Sequence, residues 1–187
     1  MKWTLILLIT LGVVACGDDE TSNDTKVSIK PFKLSSTSFD SGGVIPNKFS
    51  CVSSSQVFPN LSWNAEGRAF KSYVVIMDDP DAVPVAGYVW NHWLLYDLPA
   101  STSTIGEGIS PIDPLPSGTK RGMTSFGDTA FGGPCPPSGQ LHHYIIKIYG
   151  MDVPSIGLSS GMPVATVRQA MKGHVLDSAT YSGTFQR

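Results

Sequence analysis

No part of this 187-residue chain gathers lysine and arginine into a cluster, and 13 basic residues face 15 acidic ones for a formal net charge of −2. A nucleic-acid partner needs a positive footprint to neutralise phosphates, so that partner class is excluded. The apolar run from Leu5 to Ala15, broken by Thr10 and Gly12, is shorter than the roughly 20 residues that span a bilayer. Cysteine is scarce, at three, and no CxxC pair suggests a zinc site. The His-Glu-x-x-His and Gly-x-Ser-x-Gly signatures of metalloproteases and esterases are both missing. Helical periodicity is also rare. In its place, 19 Gly and 14 Pro separate short apolar runs, a pattern of turns and short strands.

The short apolar run follows Lys2 and has the form of a secretory signal over residues 1–15. Val13-Val14-Ala15-Cys16 resembles a bacterial lipobox, in which cleavage leaves the cysteine first and its thiol carries diacylglycerol. Residues 16–26 are polar, too poor in large apolar groups to offset their ordering entropy, and read as a tether. The folded unit is then residues 27–187, one domain with room for a sizeable core. The expected location is extracytoplasmic and membrane-anchored, on the periplasmic face or the cell surface. In such an oxidising compartment Cys51 and Cys135 are expected to form a disulfide, with two separate buried thiols as the alternative.

Three segments predict central strands: Ser72 to Met77, His92 to Tyr96, and Tyr144 to Tyr149. The first two are apolar almost without alternation, as strands covered on both faces are. A further strand is expected near Ala179 to Phe185. Met162 to Gly173 has Pro near its start, Gly at its end, and Val164, Val167 and Met171 on one face, which predicts a short packed helix. Trp63 and Trp93 read as core aromatics.

Chemistry concentrates beside the apolar strands. Asp78-Asp79-Pro80-Asp81-Ala82 ends one strand and Trp90-Asn91-His92-Trp93 begins the next. Gly132-Gly133-Pro134-Cys135-Pro136-Pro137-Ser138-Gly139 leads through Gln140 and Leu141 into His142-His143-Tyr144. Strand ends brought to one edge would form a cleft with two imidazoles, a phenol and backbone N–H groups as donors, and carboxylates to orient the histidines. That set suits a small anion, and suits binding better than turnover. Side chains alternate along a strand, so Asp79 is expected to face the cleft while Asp78 is solvated, and His143 points away from His142 and Tyr144. His174, just past the helix, is expected to bond its last carbonyls.

These two motifs together resemble the signature pair of the phosphatidylethanolamine-binding protein family, in its bacterial, Raf kinase inhibitor-like branch. Phe49-Ser50-Cys51, Leu61-Ser62-Trp63, Tyr149-Gly150-Met151-Asp152 and Ala170 through Leu176 extend the likeness along the domain. The resemblance implies a mainly β fold, a large central antiparallel sheet packed on a smaller one with one or two short peripheral helices. It also implies an anion pocket of Asp79, Asp81, Trp90, His92, Gly133, Pro134, His142 and Tyr144, with no cofactor, metal or catalytic residue. Two positions depart from the family pattern: Val83 delays the proline after Ala82 to Pro84, and His143 stands where arginine is common, which puts a salt bridge from that position in doubt.

The function expected is a non-catalytic binding protein for phosphate or a phospholipid-headgroup-like anion, attached to a membrane through its lipid. The alternatives are an inhibitor or modulator of a protease or other protein, whose identity the sequence does not name, and a hydrolase using His92, His142, Asp79 and Asp81. A homodimer is compatible with all three.

Overall fold

The computed structural model describes residues 30–108 and 115–187. The signal, Cys16 and the tether with Val27 lie outside these residues. The strands, in chain order, are β1 (Leu34–Ser35), β2 (Leu61–Trp63), β3 (Ser72–Asp79), β4 (Trp90–Pro99), β5 (Thr104–Ile105), β6 (Lys120–Arg121), β7 (Leu141–Met151) and β8 (Val175–Gln186). Two short helices, α1 (Val83–Ala86) and α2 (Val164–Ala170), complete the elements that matter for the site. Five strands form the large sheet in the order β6-β4-β3-β7-β8, and β1-β2-β5 form the small one. All pairings between these strands are antiparallel. This is the expected mainly β, two-sheet architecture.

Period-two alternation explains why β3 and β4 read as continuously apolar. On one face Tyr73, Val75 and Met77 join Trp93, Leu95, Tyr144, Ile146 and Ile148 in a core closed from the other side by Leu34, Leu61, Trp63 and Ile105 of the small sheet. On the opposite face Val74, Ile76, Leu94 and Tyr96 meet Val167 and Met171 from α2 and the residue after it. Both faces are covered, so neither contains a polar repeat. The helix occupies the middle of its predicted span. Pro163, extended at φ −61° and ψ 150°, precedes it, and Gly173 at φ 84° turns the chain away.

The free edges of the large sheet are occupied by other parts of the chain. Along β8, Gly42 N–H and Ile45 N–H donate to the carbonyls of Ser182 and Thr184, and Thr184 N–H donates to Gly43. Along β4, Gly122, Ser125 and Gly132 N–H groups donate to Leu94, Asn91 and His92. These bonds pair the C-terminal part of β8 and the part of β4 not covered by β6 within the chain.

Cys51 and Cys135 form the expected disulfide, closing a sequence separation of 84. It ties the turn Asn47–Phe49 to the proline-rich loop, and Cys51 N–H adds a 3.1 Å hydrogen bond to the Pro134 carbonyl. The close approach explains the glycine beside it: a Cβ on Gly133 would lie 2.4 Å from the Phe49 carbonyl oxygen and 2.8 Å from Ser50 Cα. Both obstacles are backbone, so a larger residue would force the two loops apart.

Candidate functional site

Asp79 closes β3 in phase with Tyr73, Val75 and Met77, which turns its carboxylate toward the inter-sheet side. Oδ1 accepts from Ala82 N–H at 3.0 Å, capping the turn Pro80–Ala82, and Oδ2 accepts from His142 Nδ1 at 2.7 Å. His142 is in phase with Tyr144 and Ile146 on β7, so it arrives from the same side. Both side chains are 5% exposed, and this geometry fixes the imidazole with its Nδ1 proton directed at the carboxylate. His142 Nε2 lies 3.3 Å from Gln140 Oε1.

His92 reaches the site by another route. The β3–β4 register pairs Met77 with Trp93 but Asp78 with Asn91, so His92 is the extra residue of a bulge. A bulge re-aims side chains, and here it directs a histidine into the cavity that strict alternation from the apolar Leu94 and Tyr96 would have sent toward α2. Its Nδ1–H donates to the Gly132 carbonyl at 2.7 Å, which leaves Nε2 as the ring nitrogen available to a ligand. Burial pushes the His92 imidazole below its usual value, against the opposing pull of the Gly132 carbonyl and the Asp79 and Asp78 carboxylates. Trp90, opposite Asp79 in the register, stacks on Tyr88 at 5.7 Å and meets the edge of Phe126 at 5.3 Å.

These groups line one cavity of about 480 Å³. Asp79, His92, His142 and Arg187 give it polar character. Ala82, Val85 and Ala86 form one apolar wall, Trp90 and Phe126 another, and Pro136 and Pro137 a third beside the disulfide sulfur of Cys135. With Cys135 oxidised, the lining carries, among the described residues, no free thiol, serine, threonine or lysine. Among the described residues no three His, Cys, Asp or Glu side chains converge as a metal site.

Four of the eight expected pocket residues are placed differently. Asp81 turns outward, where its Oδ2 accepts from His143 N–H at 2.8 Å and Nδ1 at 2.7 Å. The His143 side-chain hydrogen bond holds this carboxyl below its usual range, so histidine takes up the partnership that an arginine at position 143 would have offered. Gly133 N–H is committed to Gln56 Oε1 at 3.1 Å and faces a second cavity of about 410 Å³ across Phe126 and Cys135. Pro134 bonds Cys51 through its carbonyl and does not line the main cavity. Tyr144 lies beneath it, with its ring edge-on to His92 at 5.2 Å. Its hydroxyl is buried with no hydrogen-bond partner among the described residues, and burial, with the Asp79 charge, raises the phenol far above its ordinary value.

Two further expectations change. Asp78 is not solvated: it pairs with Arg168 and accepts from Asn91 Nδ2 at 3.2 Å on the α2 face. The His174 ring bonds Asp152 at 2.8 Å, and its backbone N–H, not its ring, reaches the Met171 carbonyl at 3.0 Å. The residues that sequence reasoning missed are Arg187, Phe126, Val85 and Ala86. For Arg187 the signal existed only in pairing: the end of β8 lies opposite the start of β7, with Gln186 facing Leu141.

Comparison with known proteins gives this chain relatives. A family profile described as phosphatidylethanolamine-binding protein matches residues 35–186. The chain is 37% identical over 153 residues to a UPF0098 protein of Aquifex aeolicus, covering 81% of this chain and 86% of that one. It is 34% identical to the YbhB protein of Escherichia coli, over 69% of this chain and 81% of the relative. Among solved structures, Escherichia coli YbcL, described as a member of the mammalian PEBP family, superposes with a TM-score of 0.77 at 26% identity, covering 83% and 98% of the two chains. A phosphatidylethanolamine-binding protein homologue from Chlamydia trachomatis gives a TM-score of 0.73 at 30% identity, over 83% and 97%.

Proposed function

This chain belongs to the phosphatidylethanolamine-binding protein family, and from that premise we propose that it is a non-catalytic binding protein for a small anion of the phosphate or phospholipid-headgroup kind. One observation carries the reading: both histidines have Nδ1 fixed by an acceptor, Gly132 O for His92 and Asp79 for His142, at the base of a cavity with apolar walls. Fixed imidazoles in a low-dielectric recess hold charge in a defined place. Among the described residues the lining holds no free thiol, serine, threonine or lysine, and the Tyr144 phenol stays protonated at ordinary pH. Binding rather than turnover fits that chemistry.

The test is a titration followed through the imidazole resonances. Inorganic phosphate is expected to shift both His92 and His142, and His92→Ala to abolish the response; silence at millimolar phosphate sinks the reading. The pH dependence has a definite sign. Because burial disfavours the His92 cation, the free protein holds the ring mostly neutral at pH 7, and an anion recovers the proton by favouring the charged form. Affinity for sulfate, whose own charge is constant over this range, should therefore rise as pH falls from about 7.5 to about 5, by at most about tenfold per unit for one coupled proton. Affinity that stays flat across that range would remove His92 from the charge-bearing role.

The same proposal places the protein outside the cytoplasm, held by diacylglycerol on Cys16. The support is Val13-Val14-Ala15-Cys16 at the end of a signal-like run. Cys16→Ser is expected to release the protein from the membrane fraction; retention of the variant there would contradict it.

A further inference from the structure

The Cys51–Cys135 bridge lies at the surface: Cys135 is exposed and Cys51 half-buried. Cys135 lines both cavities described above, and Cys51 lines the second, of about 410 Å³. The two sulfurs differ in their surroundings. Arg187 Nη1 donates to Cys135 Sγ at 3.4 Å, and this guanidinium has no ion pair among the described residues. Its backbone is held at that position, with Gly139 N–H donating to the Arg187 carbonyl at 2.7 Å and Gln186 Nε2 to the Gly139 carbonyl at 3.2 Å. Among the described residues lining the second cavity there is no cation; the charged one is Asp128. Lys48, close to Cys51 in sequence, is committed to Glu107 at 2.7 Å.

We propose that this disulfide is a thiol-exchange site, at which a dithiol reductant attacks Cys51 and expels Cys135 beside Arg187. In thiol–disulfide exchange the sulfur that leaves faster is the one whose thiolate is better stabilised, and a neighbouring arginine stabilises a thiolate. Attack on Cys51 places the departing charge on Cys135, within reach of a guanidinium. Attack on Cys135 would place it on Cys51, in a cavity that holds a carboxylate. That same cavity gives the attacking thiolate its approach. A new sulfur–sulfur bond forms at Cys51 Sγ as the Cys51–Cys135 bond breaks, and the electron pair of the broken bond leaves on Cys135. The dithiol's second thiolate then attacks its own bonded sulfur, expels the Cys51 thiolate and departs as a cyclic disulfide. Two electrons pass to the protein, and the dithiol's two protons go to the protein sulfurs or to water. The two loops stay neighbours without the bridge, because the Cys51 N–H bond to the Pro134 carbonyl and the Gly133 N–H bond to Gln56 Oε1, both 3.1 Å, still join them. What is freed is the Pro136 and Pro137 wall of the main cavity, so the redox state of the bridge sets that wall's mobility whatever the cavity holds.

Reduction of the folded protein by dithiothreitol, quenched with acid and followed by mass spectrometry of alkylated peptides, tests it. The wild-type rate is expected to rise in proportion to dithiothreitol while the circular dichroism stays native. A rate that levels off at that of global unfolding overturns the exchange site. With 2-mercaptoethanol as the probe, the trapped mixed disulfide should sit on Cys51 and the alkyl group on Cys135; the reverse pattern overturns the direction of attack. Arg187→Gln should slow reduction about three- to tenfold, the result of a leaving thiol made about ten- to a hundredfold less acidic when about half of that change, on a logarithmic scale, reaches the rate. Arg187→Lys should restore part of the loss. An arginine that only braces the loop would give the opposite sign, since loosening exposes the bridge, so an unchanged or faster rate in Arg187→Gln overturns its role. Amide hydrogen exchange at Gly132, Gly133 and Cys135 should be faster in the reduced protein than in the oxidised one, and equal protection in the two overturns the freeing of the wall.

Discussion

Replacing Cys51 and Cys135 together by alanine, or reducing their disulfide, is expected to lower the unfolding free energy by about 4 kcal/mol. The bridge closes a separation of 84 residues, and a cross-link of that span removes loop-closure entropy worth about 4–5 kcal/mol from the unfolded chain. A native domain has only about 5–15 kcal/mol in total, so the loss is a large share of it. The effect should extend to binding. Cys135, Pro136 and Pro137 form one wall of the cavity, and without the bridge that wall is anchored to the Asn47–Phe49 turn by the Cys51–Pro134 backbone bond and the Gly133–Gln56 bond. Guanidinium unfolding of the double variant beside the oxidised wild type measures the first effect, and phosphate titration the second. An unchanged denaturation midpoint would contradict the expected contribution.

Asp79→Ala is the second large effect, at about 3–5 kcal/mol of stability. The carboxylate satisfies two groups at once, the Ala82 N–H and the His142 Nδ1–H, and His142 is 4% exposed. Removing it leaves a buried ring donor and a turn amide without acceptors, and each unsatisfied group carries its desolvation cost. Asp79→Asn separates packing from proton placement. The amide oxygen can still cap Ala82, but its NH₂ faces His142 Nδ1 and can be accepted only if the ring proton moves to Nε2. The Asn variant should therefore keep most of the stability while its imidazole changes tautomer, which nitrogen chemical shifts of His142 report directly. If Asp79→Ala unfolds at the wild-type midpoint, the carboxylate bridge does not hold the β3 and β7 ends together as described.

The sequence made some of this site readable and concealed the rest for identifiable reasons. Period-two alternation placed Asp79 on the inter-sheet side of β3 and separated His143 from His142, because a half-buried strand leaves that pattern in its residues. The apolar stripe and the Pro and Gly stops located α2 within its span. Alternation could not place His92, since a bulge adds one residue to the count and nothing local marks it. The motif assigns Asp81 to the pocket along with its neighbour, but in the short turn after β3 its direction is decided by a partner 62 positions away, His143. The Gly133 amide went to Gln56 for the same kind of reason, a long-range acceptor without any local mark. Asp78 reads as solvated in the sequence because its partner, Arg168, comes from a helix packed across the sheet. Arg187 needed the β7–β8 register before it could be assigned to the cavity at all.

The pairing of segment 42–45 along β8, and of residues 122–132 along β4, has a consequence for how copies of this chain meet one another. Strand-by-strand growth, the route from native sheets to ordered aggregates, needs a run of free donors and acceptors on which a second chain can template. Here the C-terminal part of β8 and the uncovered part of β4 are filled before any encounter takes place. Molecules crowded at high density can then touch through side chains along those stretches without zipping their backbones together there.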